Sequence, residues 1–102
     1  MNKTQDFKEL VIGAFHDREI FSTVECGEDS FLNAIVFKFD CGYGYIVRAY
    51  SFMEIKRIYD YKSFLFDLQR ELFSLLIEDE NIPLRIKQSC AERLKMIEAV
   101  NI

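Results

Sequence analysis

The chain predicts an α+β fold: a small three-stranded antiparallel sheet packed with helices, in the order α-β-β-β-α-α, with an extra short helix possible after the third strand. Three features predict it. Apolar residues recur at helical spacing over residues 7–15 and again beyond residue 63, three β-branched or aromatic runs lie between them, and glycines separate the last two runs. The 102 residues suit a single globular domain spanning 1–102, because a chain this long buries about two-thirds of its unfolded surface around one core.

The first helix is expected from Gln5 to Phe15. Thr4 is positioned to cap it, Asp6 sits at its positive end, and Phe7, Leu10, Val11, Ala14 and Phe15 form its apolar stripe. After the polar His16-Asp17-Arg18-Glu19, the run from Ile20 to Cys26 reads as a strand, with Gly27-Glu28-Asp29-Ser30 as its closing turn. The run from Phe31 to Phe39 is apolar on both faces and is expected to be the central strand.

Gly42-Tyr43-Gly44 looks at first like a phosphate loop. Such a loop needs a helix N-terminus behind it to offer unpaired N–H groups, whereas here the strand-like YIVRAYSF follows, with neither a third glycine nor a P-loop lysine. A two-residue hairpin turn fits better, with Gly42 supplying a positive φ. It sets Cys41 against Gly44, Phe39 against Ile46, Lys38 against Val47, Phe37 against Arg48, Val36 against Ala49 and Ile35 against Tyr50. A three-residue loop would oppose Lys38 and Arg48, a like-charge pair that destabilises a sheet.

Ser51 and Glu54 have capping-box spacing, so a short helix to about Tyr59 is expected, the alternative being a third strand extended to Ile55. Ser63 then opens a helix over Phe64 to Glu78, whose polar stripe is Asp67, Arg70, Glu71, Ser74 and Glu78. Asn81 is expected to cap a last helix with Pro83 in its first turn and an inner stripe of Ile82, Ile86, Cys90, Leu94 and Ile97.

Composition narrows the function. Half the residues are apolar and 15% aromatic, which excludes a disordered chain. No apolar run approaches the roughly 18 residues a membrane span needs, and MNKTQDFKEL lacks a signal-peptide h-region, so a cytoplasmic protein without a membrane partner is expected. Net charge is −4, unevenly spread: residues 1–80 hold 15 acids and 9 bases, residues 81–102 hold 2 acids and 4 bases. Acidity repels phosphates, so nucleic acid is not an expected partner.

No cofactor or metal is expected, since Cys26, Cys41 and Cys90 show no C-x-x-C pairing and there is a single histidine. A Cys-His pair joining His16 to Cys26 or Cys41 remains the remote alternative of a cysteine-dependent enzyme. The carboxylate clusters Glu28-Asp29 and Glu78-Asp79-Glu80 lie in predicted turns, where solvation outweighs acid–base work. The protein is therefore expected not to be an enzyme.

What remains is surface. Five acids, Asp17, Glu19, Glu25, Glu28 and Asp29, face one base between residues 16 and 30, and Tyr43 and Tyr45 flank the hairpin glycine. Carboxylates steer basic partners and tyrosines serve as interface anchors, so these seven residues are the candidate binding site. The expected function is a small acidic protein-binding module, most concretely an immunity- or antitoxin-type inhibitor that neutralises a basic toxin, such as a nuclease. The alternative is a homodimeric scaffold assembled through an apolar sheet face.

Overall fold

A computed structural model describes residues 3–100. Its elements run α1 (Lys3–Ala14), β1 (Thr23–Asp29), β2 (Ala34–Asp40), β3 (Tyr45–Ser51), α2 (Phe52–Lys56), α3 (Tyr61–Glu78) and α4 (Leu84–Val100). The three strands form an antiparallel sheet in the order β1-β2-β3, with β2 at the centre. This is the predicted α+β fold, with the extra short helix present.

The β2–β3 register follows the predicted pairs, from Ile35 opposite Tyr50 to Phe39 opposite Ile46, with Lys38 opposite Val47. Gly42 takes a φ of +89°, the backbone N–H of Cys41 donates to the Gly44 carbonyl at 3.1 Å, and Asp40 Oδ1 accepts from the Gly42 amide at 2.7 Å. A residue with a Cβ rarely adopts that φ, so glycine at 42 fixes the turn and, through it, the register.

Because side chains alternate along a strand, the two registers define two faces. Val24, Phe39 and Ile46 form one row of the inner face, followed by Cys26, Phe37 and Arg48, then Glu28, Ile35 and Tyr50. Phe7 and Val11 of α1 and Phe15 just after it, together with Leu68, Leu72, Phe73 and Leu76 of α3, join Ile35, Phe37 and Phe39 of the inner face in one buried cluster. Aromatic edges and faces interlock there: Phe7 lies 5.7 Å from Phe37 and 5.6 Å from both Tyr50 and Phe64, and Phe15 lies 4.8 Å from Phe39. The outer face carries Glu25, Lys38 and Val47 in one row and Gly27, Val36 and Ala49 in the next. Of these, Glu25, Gly27, Val47 and Ala49 are exposed, as is Tyr45 beside them. The 19 Å thickness of the molecule is that of one sheet and one helical layer, given the ~10 Å spacing of packed layers.

Several boundaries differ from those predicted. The chain at Ile20 and Phe21 is a turn, and β1 begins at Thr23. Both side chains are buried, which consecutive residues of a strand with one covered face cannot achieve. Asp17 makes this possible, its carbonyl accepting from the amides of Ile20 at 3.0 Å and Phe21 at 2.8 Å. The β1–β2 turn falls at residues 30–33 instead of 27–30, so Gly27, Glu28 and Asp29 are strand residues and Phe31 and Leu32 leave the central strand.

The helix ends also shift. Thr4 lies inside α1, and Leu10 faces outward. Asp60, not Ser63, caps α3, its carboxylate accepting from the Ser63 amide at 3.1 Å, which starts the helix three residues early. At α4 the Pro83 carbonyl takes the amides of Ile86 and Lys87, while Asn81 is held by the Asp79 carboxylate and does not cap. The Ser51–Glu54 capping box is present, which ends β3 at Ser51. Among the described residues no helix is long and apolar enough to cross a membrane.

The aromatic layer should dominate stability. Phe7→Ala, at a fully buried site, is expected to cost about 3–5 kcal/mol, and Leu10→Ala less than about 1 kcal/mol. Urea unfolding of both variants, with unchanged m-values, checks the contrast.

Candidate protein-binding surface

The five acids do not form one surface. Asp17 and Glu19 are gathered by α4: Arg93 Nε donates to Asp17 Oδ2 at 2.6 Å and Arg93 Nη2 to Glu19 Oε2 at 3.1 Å. Asp17 Oδ1 also accepts from the Glu19 amide at 3.2 Å, so this carboxylate organises its own turn. Hydrogen bonding to Asp17 and attraction to both acids hold the Arg93 guanidinium above its usual pKa. Asp17 and Arg93 border a cleft of about 360 Å³ whose apolar walls include Phe66, Phe73, Met96 and Ile97. Two members of the predicted acidic surface are thus occupied in bracing the fold.

Glu28 and Asp29 are also engaged locally. Lys8 of α1 donates to Glu28 Oε1 at 2.8 Å, tying helix to sheet edge. Asp29 Oδ1 accepts from the amides of Phe31 at 3.0 Å and Leu32 at 3.1 Å, closing the β1–β2 turn. Glu25 stands on the outer face directly opposite Lys38, a favourable cross-strand pair.

Glu25, Glu28 and Asp29 nevertheless share one place. With Gly27, Val36 and Lys38 they line an open depression of about 410 Å³ along the β1 edge of the sheet. Its floor is apolar at Val36, and by strand alternation Glu25 and Asp29 turn to this outer side with Lys38, while Glu28 turns to the inner side and meets Lys8. Tyr45 joins this surface from β3: it is exposed, and the Lys38 ammonium lies 4.5 Å from its ring centroid, a cation–π contact. Tyr43 is elsewhere, at the hairpin tip, where Arg85 of α4 donates to its hydroxyl at 3.1 Å and lies 5.9 Å from its ring. The structure therefore places Glu25, Glu28 and Asp29 along the β1 edge, links Tyr45 on the far strand to Glu25 only through Lys38, and separates Asp17, Glu19 and Tyr43 from them.

Lys38, Val36 and Val47 complete the outer face and were not among the residues singled out from the sequence. The signal was present in the alternation of the central strand, where Val36 and Lys38 face away from the core phenylalanines, Val47 being the β3 partner of Lys38. Lys38 links the acidic and aromatic halves of the surface, reaching Tyr45 while facing Glu25.

The thiols and the histidine do not converge. The clefts that His16 lines, between α1, α3 and α4 and beside β1, include no cysteine. Cys41 Sγ donates to the Gly44 carbonyl at 3.3 Å. Burial, reinforced by the Asp17 charge, pushes the Cys90 thiol up to about 11, which withholds the thiolate that nucleophilic chemistry requires. Among the described residues no group of three or more His, Cys, Asp and Glu side chains is arranged to hold a metal ion.

The raised thiol has a consequence for stability. The Cys90 thiol ordinarily titrates near 9.0 and is raised to about 11 in the fold, so its contribution is fully present below pH 9 and is lost as pH climbs toward 11. Burial also raises Tyr50 to about 12, and its contribution is lost between pH 10 and 12. Urea midpoints at pH 7, 9 and 10.5 should fall more for wild type than for Cys90→Ala, since the alanine variant retains only the tyrosine component.

Compared with known proteins, the chain matches no family model, no curated protein and no solved structure.

Proposed function

We propose that the protein is a small protein-binding module whose acidic sheet surface engages a basic protein, most concretely an immunity- or antitoxin-type inhibitor of a cationic toxin such as a nuclease. What carries the proposal is the depression at the β1 edge, where Glu25 and Asp29 flank Gly27 beside the apolar Val36, with Glu28 at its margin. A lysine or arginine side chain suits such a place, since its stem can lie on the apolar floor while its charge meets the carboxylates. An inhibitor of a nuclease gains specificity by presenting carboxylates where the toxin would receive phosphates. A cytoplasmic location accords with that role. Asp17, Glu19 and Tyr43 are left out of the proposed surface, being committed to Arg93 and Arg85.

Binding to a cationic partner should weaken as salt rises, because charges separated by more than about 8 Å are screened at physiological ionic strength. Glu25→Lys should slow association, and Tyr45→Ala should cost on the order of 2 kcal/mol if the ring enters the desolvated centre. Surface-plasmon measurements against the cognate toxin across a salt series test this. Salt-independent binding that survives Glu25→Lys would refute the acidic surface.

A second assignment, a homodimeric scaffold, is favoured by the absence of any helix on the outer face among the described residues. Glu25, Lys38 and Val47 stand in one row there. A two-fold axis between β1 and β2 can set each lysine on the other copy's glutamate with the valines flanking the two pairs. Sedimentation should then give twice the monomer mass, reverting to the monomer in Val47→Lys. A monomer at high concentration eliminates the scaffold.

A further inference from the structure

Phe31 stands apart from every other phenylalanine in the chain. Of the ten, six are buried and Phe52, Phe64 and Phe66 are partly buried, while Phe31 is 96% exposed and its neighbour Leu32 is 57% exposed. Turn tips ordinarily take Gly, Asn, Asp or Ser, for reasons of backbone conformation. Here the conformational work is done by flanking residues, which leaves positions 31 and 32 free to be apolar.

The turn is fixed at both ends. Asp29 Oδ1 accepts from the amides of both Phe31 and Leu32, Asn33 takes the left-handed conformation at φ +55°, and the Asn33 carbonyl accepts from the Phe52 amide at 3.2 Å. The last bond anchors the turn to the start of α2, where the next side chain, Met53, is also 59% exposed. A large apolar pair on a held turn loses little conformational freedom on burial, which is the property of a binding anchor.

The charge around the turn defines its partner. From Thr23 to Phe37 the chain has three acids, Glu25, Glu28 and Asp29, and no basic residue; Lys8 pairs with Glu28 and Lys38 faces Glu25, so Asp29 at the turn is the acid with no cation set against it among the described residues. Such flanks oppose docking on an anionic membrane and complement a basic protein rim.

From these observations we infer that Phe31 and Leu32 form the apolar plug of the binding surface, seating in a nonpolar socket of a protein partner whose rim carries lysine or arginine. The inference rests on the basic-partner proposal and moves the desolvated centre of the interface from the tyrosines to the β1–β2 turn.

Photo-crosslinking tests it. The full chain would carry p-benzoylphenylalanine at position 31, or at position 59 as control, since Tyr59 is equally exposed at 96%. Irradiation in the producing cells should give an adduct with one protein from position 31 and none from 59. The crosslinked protein, purified, should bind wild type and lose roughly 30-fold in affinity for Phe31→Ala, with Tyr59→Ala unchanged. Phe31 contributes nothing to the core, so the variant should fold as wild type by circular dichroism.

Equal adducts at both positions, an adduct of two copies of this chain, or undiminished affinity of Phe31→Ala each overturns the plug. Pelleting of wild type, but not Phe31→Ala, with phosphatidylcholine–phosphatidylserine vesicles overturns it in favour of a membrane. Loss of affinity in Phe31→Ala with no response to salt or Glu25→Lys retains the plug and removes the basic partner. The reverse pattern retains the basic partner and removes the plug.

Discussion

Burial of one face of the sheet by the phenylalanine layer is the constraint on which the rest of the molecule depends. Phe37 and Phe39 of the central strand meet Phe7 of α1 and Phe15 just beyond its end, and Phe73 of α3 reaches Phe15 and Phe21 from the far side. Each ring removes a large apolar area from water, and tilted or edge-on contacts add to that gain. Once α1 and α3 are drawn to the inner face, a chain of this length has only α4 and the one-turn α2 left. α4 packs on α3 through Ile86, Cys90 and Ile97, and α2 follows directly from β3. The opposite face of the sheet is open as a direct result.

That open face is sheet surface left uncovered by the helices, and its chemistry follows from strand alternation. Residues opposite the core phenylalanines are Val36 and Lys38, and the neighbouring strands add Glu25, Gly27, Val47 and Ala49. The row is mixed in charge and moderately apolar. A monomer can keep such a surface in water, yet it offers a partner both area and charge. The β1 edge is further protected by its acids, since charged edge strands resist pairing with other sheets.

The acidic segment shows how one compositional feature divides among different physical tasks. Asp17 and Glu19 meet Arg93, more than seventy residues away in sequence, and so pin the turn that sends Ile20 and Phe21 into the core. The Asp17–Arg93 bond is partly shielded on both sides, which strengthens it relative to a fully exposed ion pair. Asp29 serves the backbone of the adjacent turn, and Glu28 joins α1 to the sheet. Five acids in a row of fifteen residues therefore amount to three structural attachments and a smaller acidic depression.

The sequence by itself determined the features whose causes are local. Gly42 and the avoided opposition of Lys38 and Arg48 specify the hairpin register, Ser51 and Glu54 specify the end of β3, and the spacing of Ile86, Cys90 and Ile97, with Leu94 partly buried beside them, specifies the inner side of α4. Each depends on residues within one turn or one strand pair. Only the tertiary structure decided where β1 begins, because the competing claim on Phe21 comes from Phe39 and Phe73, distant in sequence, as well as from nearby Phe15. It likewise decided that Phe31 and Leu32 project into solvent: the pairing of Asp29 with Ala34 places them beyond the last rung of the sheet, although their composition is that of a strand. The grouping of the candidate site belongs to the same class. Arg93, Arg85, Lys8 and Lys38 settle which acids and tyrosines are occupied, and long-range ion pairs leave no periodicity in the sequence from which to read them.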